Sequence, residues 1–194
     1  MAVLRLEQIG PRDLRRVGGK AMGLARLVRA GVSVPSAVVI PVDVFQKFLK
    51  SHGLWDRARD GDCSLEYAIK EAPLLVESQQ EIQRAVSRLG KRLAVRSSGL
   101  DEDGLNSSFA GQYATVLGVS PGADLFEAIQ TCWASAYASS VLAYRRGHLG
   151  TPGGMAVVIQ TMVSPRVAGV LFTINPMNGS WREMTVESVW GLGE

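Results

Sequence analysis

Apolar and polar positions along this chain fall into two periods, one helical and one strand-like. Over residues 21–30 the spacing is helical, with Leu24, Leu27 and Val28 on one face and Arg26 and Arg29 on another. Gly31 is a natural stop for that helix. Residues 32–35 then turn the chain into the apolar run Ala37–Ile40, which reads as a buried strand. Asp43 stands where an N-cap would open a helix over residues 44–52. A further helical pattern covers residues 78–89, with Ile82, Val86 and Leu89 inward, while residues 53–72 show no clear period. Residues 93–96 read as a short strand running into a long polar loop, and residues 113–119 alternate as a second strand. After the Pro121-Gly122 turn, residues 124–146 read as one long amphipathic helix carrying Phe126, Ile129, Trp133, Tyr137 and Val141 near one stripe. Strand-like runs follow at Met155–Thr161, 168–173 and 184–187. This order predicts an α+β fold, a mixed and mainly antiparallel sheet with flanking helices. Residues 1–92 are expected to form a first lobe and residues 93–194 the second part of the same region.

Charge adds one refinement. Residues 1–60 carry eleven Lys/Arg against five Asp/Glu, and residues 61–194 carry ten against thirteen. A basic front half suits a polyanion such as a nucleoside triphosphate, or a solvated basic helix face. No basic patch has interleaved aromatics, which argues against nucleic acid as a partner. Two widely spaced cysteines, Cys63 and Cys132, with no leader-like start, fit a reducing cytoplasm. The longest apolar stretches fall far short of a membrane span.

Several short segments have chemistry to offer. Gly18-Gly19-Lys20 before a helix would let backbone N–H groups and an ammonium approach a phosphate, although the P-loop spacing is absent. A bare surface turn is the plain alternative. Arg96 ends a strand and is followed by Ser97-Ser98, so a planar five-donor fork and two hydroxyls stand together. That arginine would serve phosphate or pair with Asp101, Glu102 or Asp103 downstream. Those three carboxylates lack EF-hand spacing and read as solvated, so no metal ligand is assigned. Gly111 permits close backbone approach, Thr115 shares a strand face with Tyr113, and Gln160 and Glu187 end apolar runs with polar groups able to read a nucleoside. His52 and His148 are isolated.

Taken in order, these segments resemble one family. Residues 18–24, GGKAMGL, with Gly31-Val32-Ser33-Val34-Pro35, are similar to its G-G-K-x-x-x-L opening and G-x-x-V-P turn. Residues 95–112, VRSSGLDEDGLNSSFAGQ, resemble its V-R-S-S…S-F-A-G-Q block. Gln160-Thr161-Met162-Val163, residues 169–176 and residues 187–194 resemble Q-x-M-V, G-V-x-F-T-x-N-P and E-x-x-x-G-L-G-E. The family is that of phosphoenolpyruvate synthase, pyruvate phosphate dikinase and rifampin phosphotransferase, at its N-terminal ATP-grasp domain. The resemblance implies a site for ATP with Mg2+. In it Lys20 and Arg96 contact phosphates and carry the catalytic load, Gly111 and Thr115 line the phosphate channel, Gln160 lies near the adenine, and Glu187 is a weaker nucleoside contact. It further implies transfer of phosphate to a histidine on a separate domain, which hands it to pyruvate or another acceptor. Neither His52 nor His148 sits in a phosphohistidine context. The family's domain runs well beyond the length seen here, with its acidic metal ligands in that later part. The chain is therefore expected to be a piece, inactive alone. A non-catalytic nucleotide-binding or regulatory module is the rival expectation. Gly99-Leu100-Asp101 departs from the family's usual Ala-Thr-Ala.

Overall fold

The computed structural model describes residues 3–100, 103–104, 107–108, 113–145 and 154–193. Contacts divide the chain into two units, Met1–Met162 and Val163–Glu194. Strands from both sides of residue 92 share one sheet within the first unit.

In the first unit, β1 (Leu4–Arg5) and two short 3-10 turns precede α1 (Leu14–Arg29), β2 (Ala37–Ile40) and α2 (Val42–Ser51). Then come α3 (Trp55–Arg59), α4 (Leu65–Glu71), α5 (Val76–Val86) and β3 (Leu93–Gly99). Two-residue strands β4 (Asp103–Gly104) and β5 (Ser107–Ser108) pair with each other, followed by β6 (Thr115–Val119), α6 (Ala123–Ala134), α7 (Ser139–Arg145) and β7 (Met155–Thr161). The main sheet has the order β1-β2-β7-β3-β6, and every neighbouring pair in it is antiparallel. The α+β class holds, with helices on both faces.

Alternation along the strands sorts the core into two layers. Leu93, Val95, Val157, Ile159, Val38 and Ile40 face a large cluster built from α2, α4, α5 and α6. At its centre Trp133 stacks on Phe45 at 4.9 Å and tilts against Phe48 at 5.2 Å, pairs worth about 0.5–1.5 kcal/mol each beyond burial. Ala37, Val39, Ala156 and Val158 face the other way, onto Val17, Ala21, Met22 and Ala25 of α1. These α1 residues, with Ala21 and Ala25 among them, rather than the leucines that the helical pattern favours, form the seam. Leu27 is exposed, and Leu24 and Val28 only lean on the cluster. Glycine and alanine win that face because they let the helix axis approach the sheet closely.

Other expectations are corrected in detail. The α2 helix opens at Val42 behind Pro41, and Asp43 lies in its first turn, paired with Arg16 at 3.3 Å instead of capping. The proposed helix over residues 124–146 is interrupted by a 3-10 turn at Ser135–Tyr137 and by extended Ala138 (ψ 139°). There the Ser135 hydroxyl donates to the Cys132 carbonyl at 2.7 Å and accepts from the Ala114 N–H at 3.2 Å, a local bond that competes with the helix ladder. The stripe survives the break, since Trp133, Tyr137 and Val141 are all fully buried. The unassigned residues 53–72 hold α3 and α4, and the α4 C-terminus is closed from outside. Gln130 of α6 donates its amide to the carbonyls of Ile69, Lys70 and Ala72 at 2.7–3.0 Å. Gln130→Ala orphans these carbonyls and is expected to lower the urea-derived unfolding free energy by about 2–3 kcal/mol.

The second unit is a hairpin of β8 (Val167–Phe172) and β9 (Thr185–Trp190), antiparallel and in register from Val167↔Trp190 to Phe172↔Thr185. Among the described residues, no helix is long and apolar enough to cross a membrane.

Candidate functional site

The α1 helix is not continuous. Gly18 has φ 76° and ψ 174°, a left-handed backbone that only glycine adopts without strain. The Gly-Gly-Lys segment is thus a break inside a helix beginning at Leu14, and not a free loop ahead of one. The break is pressed onto β3: a Cβ on Gly18 would overlap the Ser98 carbonyl oxygen and lie 2.6 Å from its hydroxyl.

On β3, three consecutive side chains do three different things. Arg96 is directly opposite Thr115 of β6 and Val158 of β7. Because Val158 packs on α1, Arg96 and Thr115 share that face of the sheet. Arg96 is half-buried, and among the described residues its guanidinium has no hydrogen bond or ion pair. Ser97, on the opposite face, donates its hydroxyl to the Ala114 carbonyl at 2.7 Å and its N–H to the same oxygen at 3.2 Å, fixing the entry to β6. Ser98 donates to the Val17 carbonyl at 2.8 Å and accepts from the Ala21 N–H at 3.2 Å. Both hydroxyls, noted from sequence as further hydrogen-bond donors beside Arg96, are buried and committed inside the protein. Strand alternation is the signal for this, since it places neighbouring hydroxyls on opposite faces.

Lys20 lies just past the helix break, and its ammonium donates to the Ser97 carbonyl at 3.1 Å, one residue from Arg96. Gln160 is two residues along β7 from Val158, hence on the same face, and is nearly buried. Its amide donates to the Pro35 carbonyl at 3.1 Å. So Lys20, Arg96, Thr115 and Gln160 come together on the α1 side of one sheet. Glu187 is exposed on β9 of the second unit, opposite Val170. Gly111, like Asp101 and Glu102, lies outside the described residues. Among the described residues, no group of three His, Cys, Asp or Glu side chains could hold a metal ion.

Cys132, behind this sheet, is fully enclosed, and burial pushes its thiol up to about 12. Cys63 is exposed. Iodoacetamide at pH 8 is expected to label Cys63 and spare Cys132 in the native protein, with both labelled in urea, as peptide mapping would show. The same burial has a pH signature. An unfolded thiol ionises near 9.0 and the folded one near 12, so this contribution to stability is complete below 9 and is lost as pH rises from there towards 12.

Two cationic side chains thus stand near each other on the α1 side of an antiparallel sheet, beside a glycine break in a helix. The chain belongs to the family of the pyruvate phosphate dikinase AMP/ATP-binding domain, whose model matches residues 14–194. Among curated proteins it is similar to the prodigiosin synthesizing transferase PigC of Serratia marcescens, with 40% identity over 92% of this chain and 20% of the relative. It is also similar to phosphoenolpyruvate synthase of Aeropyrum pernix, 33% identical over 99% of this chain and 26% of that protein. Rifampicin phosphotransferase of a Streptomyces species is 35% identical over 99% of this chain and 24% of the relative. The chain thus spans a fifth to a quarter of the length of these relatives.

Proposed function

We propose that this chain is the ATP-binding portion of a dikinase-type phosphotransferase. In this reading ATP, with Mg2+, donates a phosphoryl group to a histidine nitrogen on a separate domain of the parent protein. That domain then delivers it to pyruvate or to another acceptor. The phosphoenolpyruvate synthase and rifampicin phosphotransferase relatives support the reading at the level of the family.

The observation that carries it is the half-buried Arg96 guanidinium without a partner among the described residues, one residue from the carbonyl that holds Lys20. A cation left so in a folded protein has a desolvation cost that a polyanion would relieve. Arg96 and Lys20 would hold the phosphates, Thr115 and Gly111 would line their channel, and Gln160 would lie towards the base. One Gln160 amide hydrogen is engaged by Pro35, which leaves its second N–H and its side-chain oxygen to face an adenine edge. Glu187 is the weaker candidate for a nucleoside contact. Bound magnesium would neutralise phosphate charge, and among the described residues no acidic cluster is offered to it, so its other ligands belong to phosphate oxygens and to groups elsewhere. Phosphoryl transfer asks the protein mainly for positioning and charge, which these side chains supply.

Calorimetric titration of ATP, with and without magnesium, into the wild type and Lys20→Ala tests the reading. A Kd raised by about tenfold, ~1.4 kcal/mol, in the variant is expected. A wild type that takes up no ATP, or a variant that binds as well, would sink it.

A further inference from the structure

The break at Gly18 leaves two backbone groups apart that a regular helix would join. In an unbroken α1 the Ala21 N–H would donate to the Val17 carbonyl, four residues back. Here the Ser98 hydroxyl, from the sheet, stands between them, donating to Val17 at 2.8 Å and accepting from Ala21 at 3.2 Å. Its one hydrogen is used and the residue is wholly buried, so Ser98 has no donor left for a phosphate. On its two sides are the pieces that matter: Gly18, whose backbone rests on the Ser98 carbonyl, and Lys20, which bonds the neighbouring Ser97 carbonyl at 3.1 Å.

We propose that Ser98 is a positioning residue for the nucleotide site, a clasp whose hydroxyl replaces the missing helical bond and so holds the Gly18 break open and Lys20 beside Arg96. The proposal rests on the ATP-binding reading above. Without the hydroxyl, Val17 and Ala21 are left unpaired in an apolar seam, and the direct helical bond between them becomes the way to satisfy both. Forming that bond returns Gly18 towards helical dihedrals. Because successive helical residues are set about 100° apart, a changed pitch at Gly18 re-aims Lys20 relative to the segment before the break. Ser98 thus acts on phosphate through Lys20 and never touches the ligand.

The test is a double-mutant cycle with an ATP-independent arm. ATP affinity is measured by calorimetry for the wild type, Ser98→Ala, Lys20→Ala and the double variant, with Gln130→Ala as a destabilised control on the far face. Amide hydrogen exchange at residues 19–21 is followed without nucleotide. Ser98→Ala is expected to raise the ATP Kd about tenfold in the wild-type background and less than about twofold in the Lys20→Ala background. Exchange at Gly19 and Lys20 is expected to change in Ser98→Ala and to stay as in the wild type in Gln130→Ala. Ser98→Thr, which keeps the hydroxyl, is expected to restore affinity. If Ser98→Ala does not fold, Ser98→Cys, with a weak donor in the same place, carries the same cycle. Equal losses in both backgrounds, an unchanged Kd, or an equal loss in Gln130→Ala each overturn the positioning role. A wild type that binds no ATP overturns the functional reading and the nucleotide role with it, while the exchange data still decide whether Ser98 holds the break.

Discussion

Gly18→Ala is expected to destabilise the first unit by about 3–5 kcal/mol, whereas Gly23→Ala, five residues further along the same helix, is expected to stabilise it by about 0.5–1 kcal/mol. The opposite signs follow from what each Cβ meets. At Gly18 the backbone sits at φ 76° and ψ 174°, a region closed to other residues at about 1–3 kcal/mol. The new carbon also overlaps the Ser98 carbonyl, a backbone group that cannot yield without moving α1 off β3, and lies 2.6 Å from the Ser98 hydroxyl, which would have to leave its bonds to Val17 and Ala21. Overpacking of that kind adds roughly 1–3 kcal/mol. At Gly23 the residue is exposed, and nothing lies within 4 Å of an added Cβ, so only the gain in helix propensity remains. Against a typical total of about 5–15 kcal/mol, the first change is large enough to read directly as a shift of the urea midpoint. A Gly18→Ala midpoint within the scatter of the wild type would mean that the break is not a fixed feature of α1.

That pair also shows where the sequence is legible and where it is not. The glycines at 18 and 19 mark an unusual backbone, and the expected loop is a fair reading of them. What they do not reveal is that Leu14–Val17 continue the helix on the other side, because the Ser98 hydroxyl that makes this possible comes from 81 residues away. Strands such as Ala37–Ile40 and Met155–Thr161 are readable, since the first and residues 155–159 of the second are unbroken apolar runs buried on both faces. Helix limits are less so. The break after α6 depends on Ser135 bonding Ala114 of another element, and the start of α2 is set by Pro41 more than by Asp43. The site follows the same division. Arg96 and Lys20 stand out by residue type, and alternation alone would have separated Ser97 from Ser98. Their joint placement on the α1 face needs the β7–β3–β6 register, which no local pattern contains.

Arg96→Met is expected to do two opposite things: raise stability by about 0.5–1 kcal/mol and weaken ATP binding by roughly thirty- to a hundredfold, or about 2–2.7 kcal/mol. Stability rises because the wild-type side chain is half-buried beside a second cation and, among the described residues, has no counter-charge to offset its lost hydration. Methionine fills a comparable length of the same apolar face, next to Val158, without that cost. Binding falls because a fork of charge-assisted donors to phosphate is lost whole. Arg96→Lys separates charge from shape: it keeps the charge, lacks the planar fork, and is expected to recover only part of the affinity. Urea denaturation and calorimetry on the three proteins read both effects in the same buffer. A methionine variant that is less stable would make Arg96 a structural residue with a partner of its own. One that is more stable and binds ATP unchanged would keep the energetic argument and move the phosphates away from this strand. Only the combination of gained stability and lost affinity is the signature of a residue held in strain for a ligand.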